Sequence, residues 1–347
     1  MKKIILLQIL LLFTCQVKAY QYRTIASGNF SNPLIWESST DGTTWTSATI
    51  APIDGTHSCN IQSGHIITLD QDLILNDNIV GAAPSITIGG TLIFNNHFIE
   101  GEMISTGGSL FTLHSGATLE INNPDGLRNA NLGALRNFAS YVQHPMANYT
   151  FSGATNQVMK LGIDSALNNL TISSGAIVST TESIIVNGSL SVSSGTFHLN
   201  HSLTLKGLAI NTVGGTITTG THAELHYNNA IAIQNIPSTI TTLSKLTLNT
   251  IINSTINLDS PLSVTGFSGF KLMNGKLNTN AHSLTLLSDQ PVIGYANSYV
   301  IGNLKIQAET FSETHNENIF FPIGSSNYQP LGITVSTPTN SGPVLIS

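Results

Sequence analysis

One pattern of alternating residues occurs twice in this chain and narrows the folds open to it. Residues 170–205 read LTISSGAIVSTTESIIVNGSLSVSSGTFHLNHSLTL, and residues 246–286 read LTLNTIINSTINLDSPLSVTGFSGFKLMNGKLNTNAHSLTL. Leu246-Thr-Leu falls against Leu170-Thr-Ile, Gly275-Lys-Leu against Gly195-Thr-Phe, and His282-Ser-Leu-Thr-Leu against His201-Ser-Leu-Thr-Leu. The offset drifts from 76 residues at Leu170/Leu246 to 81 at His201/His282. Drift of this kind arises when turns between short strands absorb insertions. The stretch from Tyr149 to Gln157 resembles that from Leu225 to Gln234, so two modules of about 80 residues are expected, at 149–223 and 224–290.

Within each copy, apolar residues alternate with Ser, Thr and Asn, as in Ser189 to Ser193 and Ser202 to Leu205. Period two is the signature of a strand with one buried face. Gly188, Gly195, Gly207, Gly266 and Gly275 break up these runs, and no helical periodicity intervenes. Short strands with frequent turns suit either a series of β-sandwiches or a parallel β-solenoid. The solenoid is preferred, because its coils need only a flat apolar interior and an uncharged polar exterior. The same alternation appears in Ser85 to Ile88, Thr91 to Phe94, Ser109 to Leu113 and Ala117 to Ile121. The expected fold is therefore all-β, a parallel β-helix over 73–298. At about 20 to 25 residues per coil it would hold about a dozen coils, each rising about 4.8 Å.

The ends differ from the middle. Residues 1–19 carry Lys2 and Lys3, an apolar core from Ile4 to Phe13, and Val17-Lys18-Ala19, the pattern of a secretory signal peptide cut near Ala19. Cys15 permits a lipoprotein reading, which Ala19 makes second choice. The apolar run is too short to span a membrane, and no later run approaches it, so no transmembrane segment is expected after cleavage. Residues 20–72 hold both tryptophans, Trp36 in GNFSNPLIW (28–36) and Trp45 in DGTTW (41–45), followed by IQSGHIITLD (61–70). Two roles compete for these indoles. They can seal the first coil of a solenoid, which would otherwise expose an edge and an apolar cross-section, or stack on sugar rings. The cap is preferred. Residues 124–148 alternate little and contain Arg128 and Arg136, so an excursion from the stack is expected there. From residue 299 a different β domain begins, expected as a partial β-sandwich. The end at Ser347, inside a strand-like run, suggests a missing downstream part.

Only 9% of residues are charged, against roughly 25% in an ordinary globular domain. The net charge is −6, and after residue 19 the bases lie singly. Nucleic-acid binding is thereby disfavoured, since no basic patch can displace counterions. Beyond residue 19 only Cys59 remains, so no internal disulfide can form and Cys59 is expected in the core.

The indole motif, the LTL…SLTL module and the ending YVIGNL (299–304) with FFPIG (320–324) resemble large exported proteins of Bacteroidetes-type bacteria, of the class carrying a C-terminal sorting domain for type IX secretion. The likeness covers nearly the whole chain after residue 19. It implies export to the cell surface or medium and implies no activity. No sorting domain is recognised within these residues.

Several groups of side chains are of types suited to chemistry. His222, Glu224 and His226 alternate along one expected strand and are candidate zinc or iron ligands. Same-face neighbours on a strand lie about 7 Å apart, however, so a solvated face is the preferred reading. Glu100 with Glu102, and Asp70 with Asp72, are candidate carboxylate pairs for sugar cleavage or calcium. Strand-edge charges explain them equally well. His198, His201 and His282 recur at turns. No nucleophile elbow, P-loop, dinucleotide fingerprint or zincin motif is present, and no cofactor is expected. The resulting expectation is an exported, non-catalytic scaffold or adhesin that contacts polysaccharide or another cell-surface ligand, with Trp36, Trp45 and Arg128 as candidate contacts. A β-helix polysaccharide lyase or glycoside hydrolase, and a carbohydrate-binding module, are the alternatives.

Overall fold

The computed structural model describes residues 20–53, 57–75, 84–102, 108–129, 131–162, 166–207, 210–228, 233–287, 296–306, 317–335 and 344–346. The expected signal peptide lies outside them. The described chain is an all-β parallel β-solenoid with no α-helix; one 3-10 turn, Pro33–Ile35, accompanies the strands. It divides into two compact units. The first comprises Met1–Ile93, His97–Leu113 and Leu135–Val142, and the second Phe94–Asn96, His114–Ala134 and Gln143–Ser347.

In the first unit, Gln21–Thr24, Ser58–Ile61, Ser85–Ile88 and Leu110–Leu113 lie parallel and in register. Period two sends alternate residues to opposite faces. Tyr22, Cys59, Ile86 and Phe111 therefore form one inward column and are all buried. Arg23, Asn60, Thr87 and Thr112 form the matching outward column. Cys59 is thus a core residue, 2% exposed, as expected from the sequence. Two further parallel ladders complete the turns: Ile66–Thr68 with Thr91–Ile93, and Leu73–Ile74 with Ile99–Glu100 and Leu135–Arg136.

The edge of the first sheet is closed by an antiparallel addition. Trp36–Ser39 pairs with Gln21–Thr24, and Thr46–Ser47 pairs with Trp36–Ser39. The chain reaches this position through the 3-10 turn, which Asn32 caps by accepting from the Leu34 N–H at 3.0 Å, with Pro33 supplying the fixed φ of a first helical position. A parallel edge left open is a template for aggregation, and reversing the strand direction ends the stack.

In the second unit the turns are short and regular. Leu170 pairs with Leu190 and Leu190 with Ile210, each 20 residues on, while Leu246 pairs with Phe270, 24 residues on. Three strands make a turn, as in Leu170–Ile172, Ile177–Thr180 and Ile184–Val186, which belong to three different sheets. Their inward residues stack column upon column, for instance Val178, Phe197 and Ile217, all fully buried. Each such side chain contributes about 1.5–3 kcal/mol of burial.

The two similar sequence stretches occupy different places in this scheme. Leu170–Ile172 stands in the sheet of Leu190–Val192, whereas Lys245–Asn249 stands in the sheet of Ser202–Leu205 and Glu224–Tyr227. Likewise Ser202–Leu205 and the end of Lys276–Leu286, which share SLTL, lie in different sheets. The similarity belongs to the strand rather than to the turn of the coil. Each of these four stretches sends two aliphatics inward on either side of one outward Thr.

Residues 124–148 were expected to leave the stack, and part of that stretch instead joins it. Leu135–Arg136 continues one parallel ladder and Ser140–Gln143 lies at the end of the seven-stranded sheet. Leu135–Arg136 is too short to show alternation, and Ser140–Gln143 buries none of its residues.

Where outward asparagines fall one above another they bond in ladders. Asn257 Nδ2 donates to Asn235 Oδ1 at 3.2 Å and Asn278 Nδ2 to Asn257 Oδ1 at 3.1 Å. A second ladder joins Asn228, Asn249 and Asn274 at 3.0 and 2.9 Å. Asn257→Ala removes the middle rung and two bonds. It is expected to destabilise the second unit by about 1–2 kcal/mol, read as a shift of the urea midpoint.

Candidate functional site

The residues singled out from the sequence separate by environment. Trp36 is fully buried. Its Nε1 donates to the Phe30 carbonyl at 2.9 Å, and its ring meets Phe30 and Tyr22 edge-on, with centroids 5.1 and 6.4 Å away. Burial with the indole N–H satisfied is the arrangement of a packing residue. Trp45 is only half-buried and lies on the outer side of the antiparallel pair, with the Arg23 guanidinium 4.3 Å from its ring centroid.

The turn that presents Trp45 is held by Asp41. Its carboxylate accepts from the backbone N–H of Thr44 at 2.7 Å and of Thr43 at 2.8 Å, and from Ser39 Oγ at 2.9 Å. These bonds, the Thr44 N–H first, hold its carboxyl well below the usual aspartate range. Beside Trp45 a cavity of about 500 Å³ opens on the outward face of the first unit. That volume falls in the range of ligand clefts, about 300–1,000 Å³. Gln21, Arg23, Ser58, Asn60, Gln62 and Ser85 contribute to its wall. Arg23 gives Nε and Nη2 to one oxygen of Glu37, at 2.9 and 2.7 Å. Sequence reading missed Arg23, although the alternation of Gln21-Tyr22-Arg23-Thr24 already sends it outward.

Arg128 belongs to the second unit. Its backbone N–H donates to the Lys160 carbonyl at 2.9 Å, and its guanidinium lies where a Cβ on Gly162 would come within 2.5 Å of Nη1. Burial raises the Tyr149 hydroxyl above its ordinary value, and the Arg128 charge pulls it back. Arg128 is thus woven into the wall of its own unit.

Of the three candidate metal ligands, Glu224 and His226 meet, with Oε2 and Nε2 3.0 Å apart. His222 stands in the preceding turn, where its Nδ1 lies 3.1 Å from Thr221 Oγ1. Among the described residues no group of three His, Cys, Asp or Glu side chains is gathered closely enough to hold a metal. Of the four candidate carboxylates, those of Asp70, Asp72 and Glu100 each have a partner of their own. Asp70 accepts from the backbone N–H and the hydroxyl of Ser31. Asp72 binds the His97 ring at 3.1 Å and the Phe98 N–H at 3.2 Å. Glu100 accepts from Asn137 Nδ2 at 2.9 Å, while the Glu102 backbone N–H is held by Ser109 Oγ at 2.7 Å. His198 bonds through Nδ1 to Thr218 Oγ1 one turn on, at 2.8 Å.

No helix among the described residues is long and apolar enough to cross a membrane. Comparison with protein-family models, with curated proteins and with solved structures returns no match.

Proposed function

We propose that this chain is an exported, non-catalytic scaffold or adhesin of the cell surface, whose polar outer faces contact glycans. The observation that carries the reading is the employment of its few acids. Asp70, Asp72 and Glu100 each bridge to a partner distant in sequence, at Ser31, His97 and Asn137. A lyase or hydrolase of β-helix architecture needs acids and bases left free to meet substrate, with a cation to hold a uronate. The sparse charge of the chain favours a passive surface. Residues 1–19 and the resemblance to type IX cargo proteins support export by that route to the cell exterior.

The reading is tested by incubating the purified chain with a panel of neutral and acidic polysaccharides and assaying new reducing ends and unsaturated products. No product above a buffer control is expected on any substrate. Turnover abolished by Glu100→Gln or Asp70→Asn would establish the enzyme reading in its place.

A further inference from the structure

The wall of the cavity beside Trp45 differs from the outward faces that carry polar ladders. Several sets of outward polar side chains elsewhere are tied to one another from turn to turn. Asn148 bonds to Asn168 and Asn169, Asn169 to Ser189, Thr196 to Thr216, and the two asparagine ladders run on in the same way. Around the cavity no such ladder forms. Among the described residues, the side chains of Gln21, Ser58, Asn60, Gln62 and Ser85 make no hydrogen bond within the protein, although strand register stacks Gln21 over Ser58 and Asn60 over Thr87. Three amides and two hydroxyls therefore present their donors and acceptors toward one recess. One wall of that recess is the half-buried Trp45.

The charge at the site narrows the ligand. Among the described residues, Arg23 is the only charged one lining the cavity, and it is paired with Glu37 through two hydrogen bonds. The guanidinium also braces the indole from 4.3 Å, fixing the ring in place. An anionic ligand would have to compete with Glu37 for that guanidinium. A ligand of hydroxyls and apolar ring faces would meet amides, hydroxyls and an indole that are already positioned. Clefts with an aromatic wall and a few convergent polar groups are the usual form of a small-ligand site.

We infer that this cavity is a binding subsite for a short stretch of neutral glycan, with Trp45 stacking on a sugar ring and Gln21, Asn60 and Gln62 bonding its hydroxyls. The inference rests on the scaffold reading and names both the ligand class and the site. Amides suit the task because each offers both a donor and an acceptor, matching the dual character of a sugar hydroxyl. Trp36, although nearby in sequence, takes no part.

Affinity electrophoresis of the full chain tests this, with hydroxyethyl cellulose, galactomannan and arabinoxylan as neutral probes and polygalacturonate as the acidic one. At least one neutral polymer is expected to retard the chain, with little change at high salt. Trp45→Ala is expected to weaken that retardation by about tenfold or more, the scale of a lost aromatic anchor. Asn60→Ala with Gln62→Ala, a pair that leaves the core untouched, covers the case in which Trp45→Ala disturbs the turn. Retardation by polygalacturonate alone, retardation unchanged in both variants, or none by any neutral polymer would each overturn the assignment. New reducing ends in the same samples would instead sink the non-catalytic reading, so the two failures are told apart.

Discussion

Replacing Trp36 by alanine is expected to lower the stability of the first unit by about 3–5 kcal/mol, the usual range for removing a fully buried large aromatic. The indole fills the space between Phe30 and Tyr22, and its N–H is the partner of the Phe30 carbonyl. Alanine leaves both a cavity and an unmatched acceptor. Against total stabilities of about 5–15 kcal/mol, such a loss removes a large share of the stability. Trp45→Ala deletes the same side chain from a half-exposed site and is expected to change stability by under about 1 kcal/mol. Urea titrations of the two variants, followed by circular dichroism, should differ plainly in midpoint. Equal shifts would mean that the two indoles share one role.

The second large effect is expected at Gly195, which ends one turn of the stack in the second unit. Its φ is +65°, and a Cβ built there would lie 2.2 Å from the Ser174 carbonyl oxygen and 2.4 Å from that of Ala176. Both contacts are with backbone of the turn below, which cannot swing aside. Gly195→Ala is expected to destabilise by about 2–5 kcal/mol. Left-handed backbone accounts for about 1–2 of this and forced displacement of packed chain for about 1–3. Two other glycines separate these contributions. At Gly64, with φ +84°, no atom lies within 4 Å of the added Cβ, so Gly64→Ala should show the backbone part alone, about 1–2 kcal/mol. At Gly175 there is neither positive φ nor a neighbour, and Gly175→Ala should be near neutral. Thermal or urea unfolding of the three variants should rank them in that order. A mild Gly195→Ala would mean that successive turns sit farther apart than described here.

Much of this architecture was legible because one strand obeys one simple rule. Ser85 to Ile88 and Ala117 to Ile121 alternate clearly and form the strands Ser85–Ile88 and Thr118–Ile121. The same simplicity hid the order of the turns. LTI at Leu170 and LTL at Leu246 satisfy one local requirement on two different sheets, so their likeness could not reveal which face each would occupy. Leu135–Arg136, only two residues long, fell below the length at which alternation can be read. At the candidate site, composition drew attention to two tryptophans but could not divide them. Their difference arises from the 3-10 turn and the antiparallel strand after it, which send Trp36 into the core and leave Trp45 beside Arg23. The carboxylates carried even less information, because their partners Ser31, His97 and Asn137 are brought to them only by the winding of the coil.

The central claim is a division of labour between a sealing indole and a contacting one, and the chain's two tryptophans make it directly measurable. The measurement is acrylamide quenching of tryptophan emission in Trp36→Phe and Trp45→Phe variants, with and without a neutral polysaccharide. With only Trp36 present, emission should be blue-shifted, scarcely quenched and indifferent to the polymer. With only Trp45 present, emission should be readily quenched, and a neutral polysaccharide that retards the chain should protect it. Ready quenching of Trp36, or a Trp45 signal unmoved by a polymer that the chain binds, would contradict the account.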